Sequence, residues 1–316
     1  MSTPLSKILP TILSRVTGTE VGPLRLRALG GGSINSAYQL VTTDERRWFC
    51  KMYDADSMPD LFTREGQGLE LLGRAGLIRV PAVIACEIAD GMQVLVLEWI
   101  EQGLKTGAFW TSFGEELARL HMLSQPAFGL DHHSGFDLRH RTDSGLDHQP
   151  CFGLDHDNYM GSLPQSNTPE PDWTSFFIRQ RLEPQLQLAI NSHLLPPSTI
   201  RHFQGLYRAL PEIFPPEPPS LLHGDLWSGN FLCDANSRPV LIDPAVYYGH
   251  RSIDLAMTTL FGGFEPGFYE AYDHHYPFPP NYREQWEICN LYPLLIHLNL
   301  FGESYSVNIL RTIQRF

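Results

Sequence analysis

The sequence predicts an α+β fold with two lobes, a small β-rich lobe over residues 1–98 and a larger, mostly helical lobe over residues 99–316. Five short apolar stretches before residue 98 have the length and composition of strands, whereas the apolar patterns after it are mainly those of amphipathic helices. A chain of 316 residues is long enough for one such two-lobed unit. Hydrophobic residues make up 42% of the chain and charged residues 18%, so we expect a sizeable packed core.

The net charge and the cysteine spacing indicate which partners and which redox compartment to expect. The net charge of −12 argues against nucleic acid or an anionic membrane as the main partner. The five cysteines are widely spaced without a Cys-x-x-Cys pair, which favours reduced thiols over a disulfide framework or a zinc site. No apolar run approaches the ~20 residues of a transmembrane helix, and the N-terminus lacks the apolar core of a secretory signal. We expect a cytoplasmic protein with no membrane partner, and a monomer.

The N-terminal segment has the pattern of an amphipathic helix that ends near Gly18. Apolar residues recur at helical spacing in it, namely Leu5, Ile8, Leu9, Ile12, Leu13 and Val16. The segment also has the basic and hydroxylated composition of a transit peptide. We favour a packed helix, because the pattern leads directly into the first strand, which begins near Leu24, without a cleavable linker.

A glycine triplet joins the first two predicted strands. Glycines at such a turn let backbone N–H groups approach phosphates without a side chain in the way. The turn comprises Gly30, Gly31, Gly32, Ser33, Ile34 and Asn35. Because a buried-looking lysine, Lys51, follows two strands later, we interpret these residues as a loop that covers a nucleotide, with Ser33 and Asn35 less firmly assigned than the glycines.

Lys51 interrupts a short apolar strand, Arg47–Tyr53, and a lysine there is costly to bury unless it is paired. The next predicted helix supplies a partner, since Glu65 lies on the same face as its apolar residues. We therefore predict a Lys51–Glu65 ion pair, as in kinases, where such a lysine holds the α- and β-phosphates of ATP. The alternative is a solvated lysine on an edge strand. We also expect Asp60 to cap the helix.

The stretch from Leu221 to Asn230 contains the most specific catalytic motif in the sequence. His223-Gly224-Asp225 is followed by Asn230, with the spacing of a kinase catalytic loop, and Asp243 follows after a predicted hairpin. Phosphoryl transfer needs a carboxylate that orients the attacking hydroxyl, for which we predict Asp225, and oxygen ligands for Mg²⁺, for which we predict Asn230 and Asp243. The alternative is an ordinary Gly-Asp turn.

Two further polar residues are predicted to be structural. His121 lies on an amphipathic helix, where we interpret it as a packing histidine. Asp254 begins a helix beyond the catalytic loop, and we expect it to cap that helix and brace the loop.

The region from Ala127 to Asn158 contains a repeat. Phe128–His132 recurs as Phe152–His156, and a partial copy lies between them, so residues of about 128–152 resemble an inserted near-duplicate in an exposed loop. The region contains five histidines beside aspartates, namely His132, His133, His140, His148 and His156. A metal site is one interpretation, but no spacing fixes a ligand geometry, and we favour a loop.

The residues around the catalytic loop resemble one family. Leu221-Leu222-His223-Gly224-Asp225-Leu226-Trp227-Ser228-Gly229-Asn230, Asp243-Pro244-Ala245 and Tyr248-Gly249-His250-Arg251 are similar to the fructosamine kinase (ketosamine 3-kinase) family, from about Ile12 to the C-terminus. The resemblance implies a protein kinase-like fold close to that of aminoglycoside phosphotransferases. It also implies ATP and Mg²⁺ as cofactors, and phosphorylation of the 3-hydroxyl of ketoamine sugars, whose products break down to release the amine.

The resemblance also implies contacts for the nucleotide and the acceptor. It places the hinge that meets adenine at Glu98, Trp99 and Ile100, and it suggests His223, Trp227 and Tyr248 for the acceptor. Trp227 is equally compatible with the core. The implied acceptors are ribulosyl-, fructosyl- or erythrulosyl-lysine, free or on glycated proteins.

Two alternatives of function stay open at this point. The first is a phosphotransferase for aminoglycosides or for choline- or homoserine-type alcohols, since an acidic chain suits a cationic acceptor. The second is a non-catalytic pseudokinase scaffold. The complete set of Lys51, Glu65, Asp225, Asn230 and Asp243 argues against the second.

Overall fold

The computed structural model describes residues 5–30, 36–123 and 151–316, and within them the fold is α+β with two lobes. The small lobe contains a five-stranded antiparallel sheet in the order β1-β2-β3-β5-β4. Its strands are β1 (Arg25–Leu29), β2 (Ser36–Val41), β3 (Arg47–Asp54), β4 (Val83–Ala89) and β5 (Met92–Glu98). Two helices accompany the sheet, α1 (Leu5–Thr17) and α2 (Leu61–Ala75). The predicted lobe boundary at residue 98 stays a prediction; β5 ends at Glu98 and the next helix begins at Gly107.

Helix α1 packs on the sheet, in agreement with the packed N-terminal helix that the sequence pattern predicts. Leu9 and Leu13 are fully buried and share a hydrophobic cluster with sheet residues such as Leu40 and Val94. Arg15, in the last turn, donates two hydrogen bonds to the Glu87 carboxylate on β4, at 2.5 and 2.7 Å. The helix is therefore part of the small lobe's core.

Leu13→Ala tests the contribution of α1 to stability. We expect it to lower the free energy of unfolding by about 3 kcal/mol, because the side chain is fully buried and its removal leaves a cavity. Val16→Ala, at a side chain that is 43% exposed, is the matched control and is expected to change stability by less than about 0.5 kcal/mol. Urea unfolding measures both, and equal effects would contradict the packed helix.

The large lobe is mostly helical. Its helices are α3 (Gly107–His121), α4 (Trp173–Phe176), α5 (Glu183–Asn191), α6 (Thr199–Ile213), α7 (Ser252–Leu260), α8 (Pro266–His275), α9 (Tyr282–Cys289), α10 (Leu291–Phe301) and α11 (Ser306–Ile313). A π-helical segment, Phe177–Leu182, joins α4 to α5, and a 3₁₀ turn, Glu303–Tyr305, precedes α11. Three two-stranded ladders pair β6 (Asn158–Met160) with β7 (Leu163–Gln165), β8 (Ser220–Leu222) with β11 (Tyr247–Gly249), and β9 (Phe231–Cys233) with β10 (Pro239–Leu241).

The repeat is described in part. The copy Phe152–His156 lies in the fold, where Phe152 packs on Trp173 and Gly153 exchanges backbone hydrogen bonds with Tyr248. The copy at 128–132, the predicted insertion up to residue 150, and His132, His133, His140 and His148 lie outside the described residues. Within the described ranges, no group of three His, Cys, Asp or Glu side chains is arranged to hold a metal ion.

The segment after β11 is anchored by an ion pair between the buried Arg251 and the half-buried Glu217. Arg251 donates to both carboxylate oxygens of Glu217, at 3.0 and 3.1 Å, and its guanidinium lies 3.6 Å from the ring centre of Tyr276. His250 is buried beside the same carboxylate, with Nε2 at 3.4 Å from Glu217 Oε2. Burial lowers the pKa of His250 to about 4, although Glu217 opposes the change, so this histidine is neutral at pH 7.

This burial predicts that acid weakens the fold. The unfolded chain binds a proton at His250 below its ordinary pKa of 6.5, whereas the folded chain does so only near about 4, so stability is lost as the pH falls between these values. From pH 7 to pH 4 we expect the wild-type protein to lose about 3 kcal/mol more than His250→Gln. Urea titrations at a series of pH values measure the difference, and parallel curves would contradict it.

In the described part of the chain, no helix is both long enough and apolar enough to cross a membrane.

Candidate active site

The catalytic loop connects β8 to β9, and the β9–β10 hairpin holds its functional residues together. Asn230 comes directly before β9, and Asp243 follows β10 by two positions. Backbone hydrogen bonds close the arrangement, from Ile242 N to Asn230 O at 3.1 Å and from Ala245 N to His223 O at 2.8 Å. The fold therefore brings Asp225, Asn230 and Asp243 to one end of a short hairpin.

Asp254 fixes the backbone of the catalytic loop. Its buried carboxylate accepts hydrogen bonds from His223 N at 2.8 Å and from Gly224 N at 2.9 Å, so it braces the loop as predicted. The predicted capping role is wrong, because Asp254 lies inside the first turn of α7 and Arg251 occupies the N-cap position. His121 lies between the Tyr272 hydroxyl, at 2.9 Å, and Asp254, at 3.2 Å, which is the packing role expected of it.

The close packing of the catalytic loop requires glycine at position 224. The φ of Gly224, 83°, is strained for any residue with a side chain, and a Cβ there would overlap the carbonyl oxygen of Ala245. The close approach follows from the backbone hydrogen bond between Ala245 and His223. Glycine therefore lets the catalytic loop lie directly against the segment that follows Asp243.

Gly224→Ala is expected to displace this loop. The left-handed conformation and the overlap with a backbone oxygen should cost at least about 2 kcal/mol of stability. We also expect turnover to fall by about tenfold or more, since small displacements of catalytic groups are costly. The control is Gly107→Ala, at the start of α3, where a Cβ meets nothing within 4 Å. Equal turnover in the two variants would show that the tight approach has no functional role.

Asp225 and Asn230 form a hydrogen-bonded unit. Asn230 Nδ2 donates to Asp225 Oδ2 at 2.8 Å and to the Asp225 carbonyl at 2.9 Å, which fixes the carboxylate and orients the amide oxygen away from it. Burial raises the pKa of Asp225 well above its usual range. Asp243 and Asp254 add to this rise, whereas the hydrogen bond from Asn230 opposes it. The arrangement suits a carboxylate that must finally take a proton.

Lys51 meets two carboxylates, one from each lobe. Its Nζ lies 2.8 Å from Glu65 Oε1, so the predicted ion pair is present, and 2.7 Å from Asp243 Oδ1. Burial alone would lower the pKa of Lys51, but Glu65 and Asp243 outweigh it and hold the pKa above its ordinary value. Burial raises the pKa of Glu65, and Lys51 opposes that rise. The ammonium therefore joins α2 of the small lobe to the hairpin of the large lobe.

Helix α2 reaches this position without the predicted cap. Asp60 occupies the N-cap position of α2 but has a left-handed backbone conformation and makes no capping hydrogen bond, so that prediction is wrong. Gly68 is buried in α2, and a Cβ there would contact Val246 at 3.2 Å and Pro244 at 3.4 Å. The glycine lets α2 pack on the segment that follows Asp243.

The donor atoms near Asp243 fit a magnesium ion. The Asp243 side chain is 40% exposed to the cleft, and the residue has a left-handed backbone with φ 55°, a conformation that the packing around it must hold. Asn230, at the same end of the hairpin, offers an amide oxygen. Mg²⁺ prefers such oxygen ligands and takes few from the protein, leaving the remainder to water and substrate phosphates.

A cleft of about 510 Å³ lies between the lobes and contains the predicted catalytic and metal-binding residues. The predicted residues that line it are Lys51, Glu65, Asp225, Trp227, Asn230 and Asp243. The remaining lining residues include Arg64 and Tyr159, and a group from α10 that comprises Ile296, His297, Leu300 and Phe301.

Other predicted residues are placed elsewhere. Gly31, Gly32, Ser33 and Asn35 lie outside the described residues, and Gly30 is the last described residue before them. His223 is fully buried, its Nε2 donating to Ile242 O at 2.8 Å and its Nδ1 accepting from Asp225 N at 3.2 Å. Neither His223 nor Tyr248 lines the cleft, so we leave both out of the proposed acceptor contacts.

The predicted hinge follows β5. Glu98 Oε1 accepts from Arg79 Nη2 at 2.6 Å, and its other oxygen accepts from Ala82 N at 3.3 Å, so this side chain holds the backbone around the hinge. Ile100 is buried, and the buried Trp99 indole N–H has no hydrogen-bond partner among the described residues. Adenine contacts at these three residues stay a prediction.

An aromatic wall that the sequence did not predict lies beside the catalytic loop. His297 lies 5.0 Å from Phe261 and 5.5 Å from Phe301 between ring centres, and Trp227 lies 5.8 Å from Phe261. His297 Nδ1 is 2.7 Å from the Pro293 carbonyl, to which it donates, and this leaves Nε2 as an acceptor. The one signal in the sequence was a histidine within the mostly apolar stretch Leu291–Phe301.

Comparison with known proteins identifies the family. The family model for fructosamine kinase matches residues 6–136 and 138–316, which is nearly the whole chain. The chain belongs to the fructosamine kinase family. A relative from Lactiplantibacillus plantarum named as a ketoamine kinase is 37% identical over 92% of this chain and 94% of its own length. The chloroplastic protein-ribulosamine 3-kinase of Arabidopsis thaliana is 32% identical over 96% of this chain and 86% of its own.

Solved structures of proteins named as fructosamine-3-kinases have the same fold as this chain. A crystal structure from Thermobifida fusca named as a fructosamine-3-kinase matches with a TM-score of 0.80 and 31% identity, covering 97% of both chains. One from Haemophilus somnus named in the same way has a TM-score of 0.82 at 25% identity. LicA in complex with AMP, at 17% identity and a TM-score of 0.58, shares the fold alone. The predicted kinase-like architecture is thereby confirmed.

Proposed function

We propose that this fructosamine kinase transfers the γ-phosphoryl group of ATP to the 3-hydroxyl of a ketosamine, which starts the release of the sugar from the amine. The observation that carries the proposal is the meeting of Lys51, Asp225, Asn230 and Asp243 in one cleft. These are the residue types that phosphoryl transfer requires, at one place between two lobes.

Asp225 is the proposed catalytic residue. Its carboxylate, held by Asn230, accepts a hydrogen bond from the acceptor hydroxyl and orients its oxygen towards the γ-phosphorus. The oxygen–phosphorus bond forms as the bond from that phosphorus to the β-γ bridging oxygen breaks, ADP leaves with the electron pair, and Asp225 takes the hydroxyl proton. Positioning and electrostatics supply most of the rate in such a transfer.

The nucleotide would lie between the lobes. Lys51 is the proposed contact for the phosphates, with Glu65 holding its ammonium, and the loop that includes Gly30 would cover them. Asn230 and Asp243 would hold Mg²⁺, which when bound neutralises charge on the phosphates. Adenine would meet the backbone of the hinge at Glu98, Trp99 and Ile100.

The aromatic wall is the proposed acceptor surface. Trp227 and His297 offer ring faces beside Asp225, on which the apolar face of a sugar or the stem of a lysine can stack. Phe301 is 52% exposed at the same side of the cleft, so a lysine that projects from a larger molecule has an open approach. We propose free or protein-bound ketosamines as acceptors, and a cytoplasmic monomer that acts without nucleic acid or membrane.

Family membership favours a ketosamine over the other acceptors. The choline kinases among the solved structures compared share the fold, but at only 16% and 17% identity. A pseudokinase is disfavoured, because the lysine, the glutamate and the three loop residues are all in place.

The test is ADP release from Mg-ATP with ribulosyl-lysine, fructosyl-lysine, aminoglycosides and choline as acceptors. The proposal expects turnover on a ketosamine and ranks the sugars by kcat/KM. Turnover on aminoglycosides or choline alone, with none on either ketosamine, would contradict it.

A further inference from the structure

Arg79 lies between α2 and β4, where its side chain joins two distant parts of the chain. Its Nη1 donates to Asp234 Oδ2 and its Nη2 to Glu98 Oε1, each at 2.6 Å. Glu98 ends β5 in the small lobe, whereas Asp234 follows β9 in the large lobe. One guanidinium therefore links the start of the hinge to the β9–β10 hairpin.

Asp234 shapes the turn of that hairpin. Its Oδ1 accepts backbone hydrogen bonds from Asn236 at 2.8 Å and from Arg238 at 3.0 Å, while its other oxygen holds Arg79. The side chain is only 4% exposed. Because β9 and β10 are three residues each, a shift of this turn is transmitted directly to the opposite end of the hairpin. That end carries Asn230 and Asp243.

The backbone near Arg79 reinforces the link. Leu241 N donates to the Arg79 carbonyl at 2.9 Å, which places residue 79 alongside β10. The chain just after the hinge contacts the same hairpin, since Gly103 N donates to Cys233 O at 2.9 Å and a Cβ at Gly103 would overlap the Asp234 carbonyl. The hinge, the segment at Arg79 and the hairpin are thus packed as one unit, with Arg79 as its charged centre.

We infer that Arg79 is a positioning residue for Mg-nucleotide binding, because it sets the hairpin that carries Asn230 and Asp243 against the hinge. Arg79 does not line the cleft, so it acts through the residues it holds. Its loss leaves the buried Asp234 carboxylate without its cation, which loosens the turn. The inference rests on the proposed function for the identity of the metal and the nucleotide, but it does not depend on the acceptor.

Calorimetric binding of Mg-ADP tests the inference without catalysis. For Arg79→Met we expect the Kd of Mg-ADP to rise about tenfold, the size typical of residues that support metal ligands. Asp234→Asn should have a similar effect, and the double variant should add little, because both changes break the same link. In steady-state assays the KM for Mg-ATP should rise while the KM for the acceptor stays unchanged. Arg74→Met is the matched control, since Arg74 pairs with Glu70 on the surface of α2.

A second nucleotide titration, with EDTA in place of Mg²⁺, separates metal positioning from a general effect. We expect the wild-type protein and Arg79→Met to differ less in EDTA than with Mg²⁺. A folded Arg79→Met with a lowered Tm and an unchanged Kd for Mg-ADP would overturn the inference, as would equal losses with and without Mg²⁺.

Further variants keep the test decisive if Arg79→Met does not fold. Arg79→Lys retains the charge but not the two-pronged geometry, and unchanged Kd values in both Arg79→Lys and Asp234→Asn would overturn the inference. If the wild-type protein binds no Mg-ADP, the proposed function fails and the inference falls with it. Wild-type binding with equal binding by the variants overturns the inference alone.

Discussion

Asp225→Asn is expected to lower kcat by at least about a thousandfold while Mg-ADP still binds. The amide has the same shape and can still accept the hydrogen bond from Asn230, so the loop should keep its structure. It cannot take the proton of the acceptor hydroxyl, and its weaker dipole orients that hydroxyl poorly. Steady-state ADP release on a ketosamine gives kcat, and calorimetry with Mg-ADP gives binding.

The binding measurement is the internal control for this variant. Unchanged Mg-ADP affinity together with lost turnover places Asp225 in the chemical step. Turnover within a few fold of the wild-type protein would remove Asp225 from the mechanism, and the loss of both properties would indicate a misfolded loop.

Lys51→Met should have the second-largest effect. We expect kcat/KM for ATP to fall by about a hundredfold or more, because the cation proposed to contact the phosphates is lost. The variant also leaves Glu65 and Asp243 facing one another without the ammonium that lies 2.8 and 2.7 Å from them. Kinetics with ATP as the varied substrate measure the change, with folding checked by thermal unfolding.

The glutamate variants test whether the ion pair itself matters. Glu65→Gln should weaken ATP binding and turnover, since Lys51 loses the partner that holds it from α2. Glu70→Gln, on the same helix but paired with Arg74 on the surface, should leave both unchanged. If Glu65→Gln has no effect on ATP affinity or on turnover, the pair is not part of the site.

The functional residues of the catalytic loop and the following hairpin could be predicted from the sequence because they lie close together along the chain. Asp225, Asn230 and Asp243 fall within one loop and one hairpin, so their spacing already predicts that they meet. The Lys51–Glu65 pair was also predictable, since a cation in an apolar strand requires a partner and the next helix offers one. The contact between Lys51 and Asp243 was not predicted, because it depends on how the two lobes pack.

The aromatic wall and the Arg79 link could not be predicted from the sequence, because each joins residues that are far apart along the chain. His297 and Trp227 are 70 residues apart on separate elements, and a histidine among leucines has no periodic signature of an acceptor site. Gly68 and Gly224 show the same limit at the level of backbone, since only the packed structure reveals what a Cβ would meet. The predicted cap at Asp254 failed because residue type alone does not fix where a helix starts. The cap at Asp60 failed for another reason, since Asp60 occupies the N-cap position but its left-handed backbone makes no capping hydrogen bond.

The position of the phosphoryl group in the product tests the central claim most directly. The protein would be incubated with Mg-ATP and ribulosyl-lysine or fructosyl-lysine, and the product examined by phosphorus and proton NMR. The account predicts a phosphate on the 3-hydroxyl of the sugar, followed by release of free lysine, and neither signal with Asp225→Asn. A phosphate on another hydroxyl, or ATP hydrolysis without a phosphorylated sugar, would contradict it.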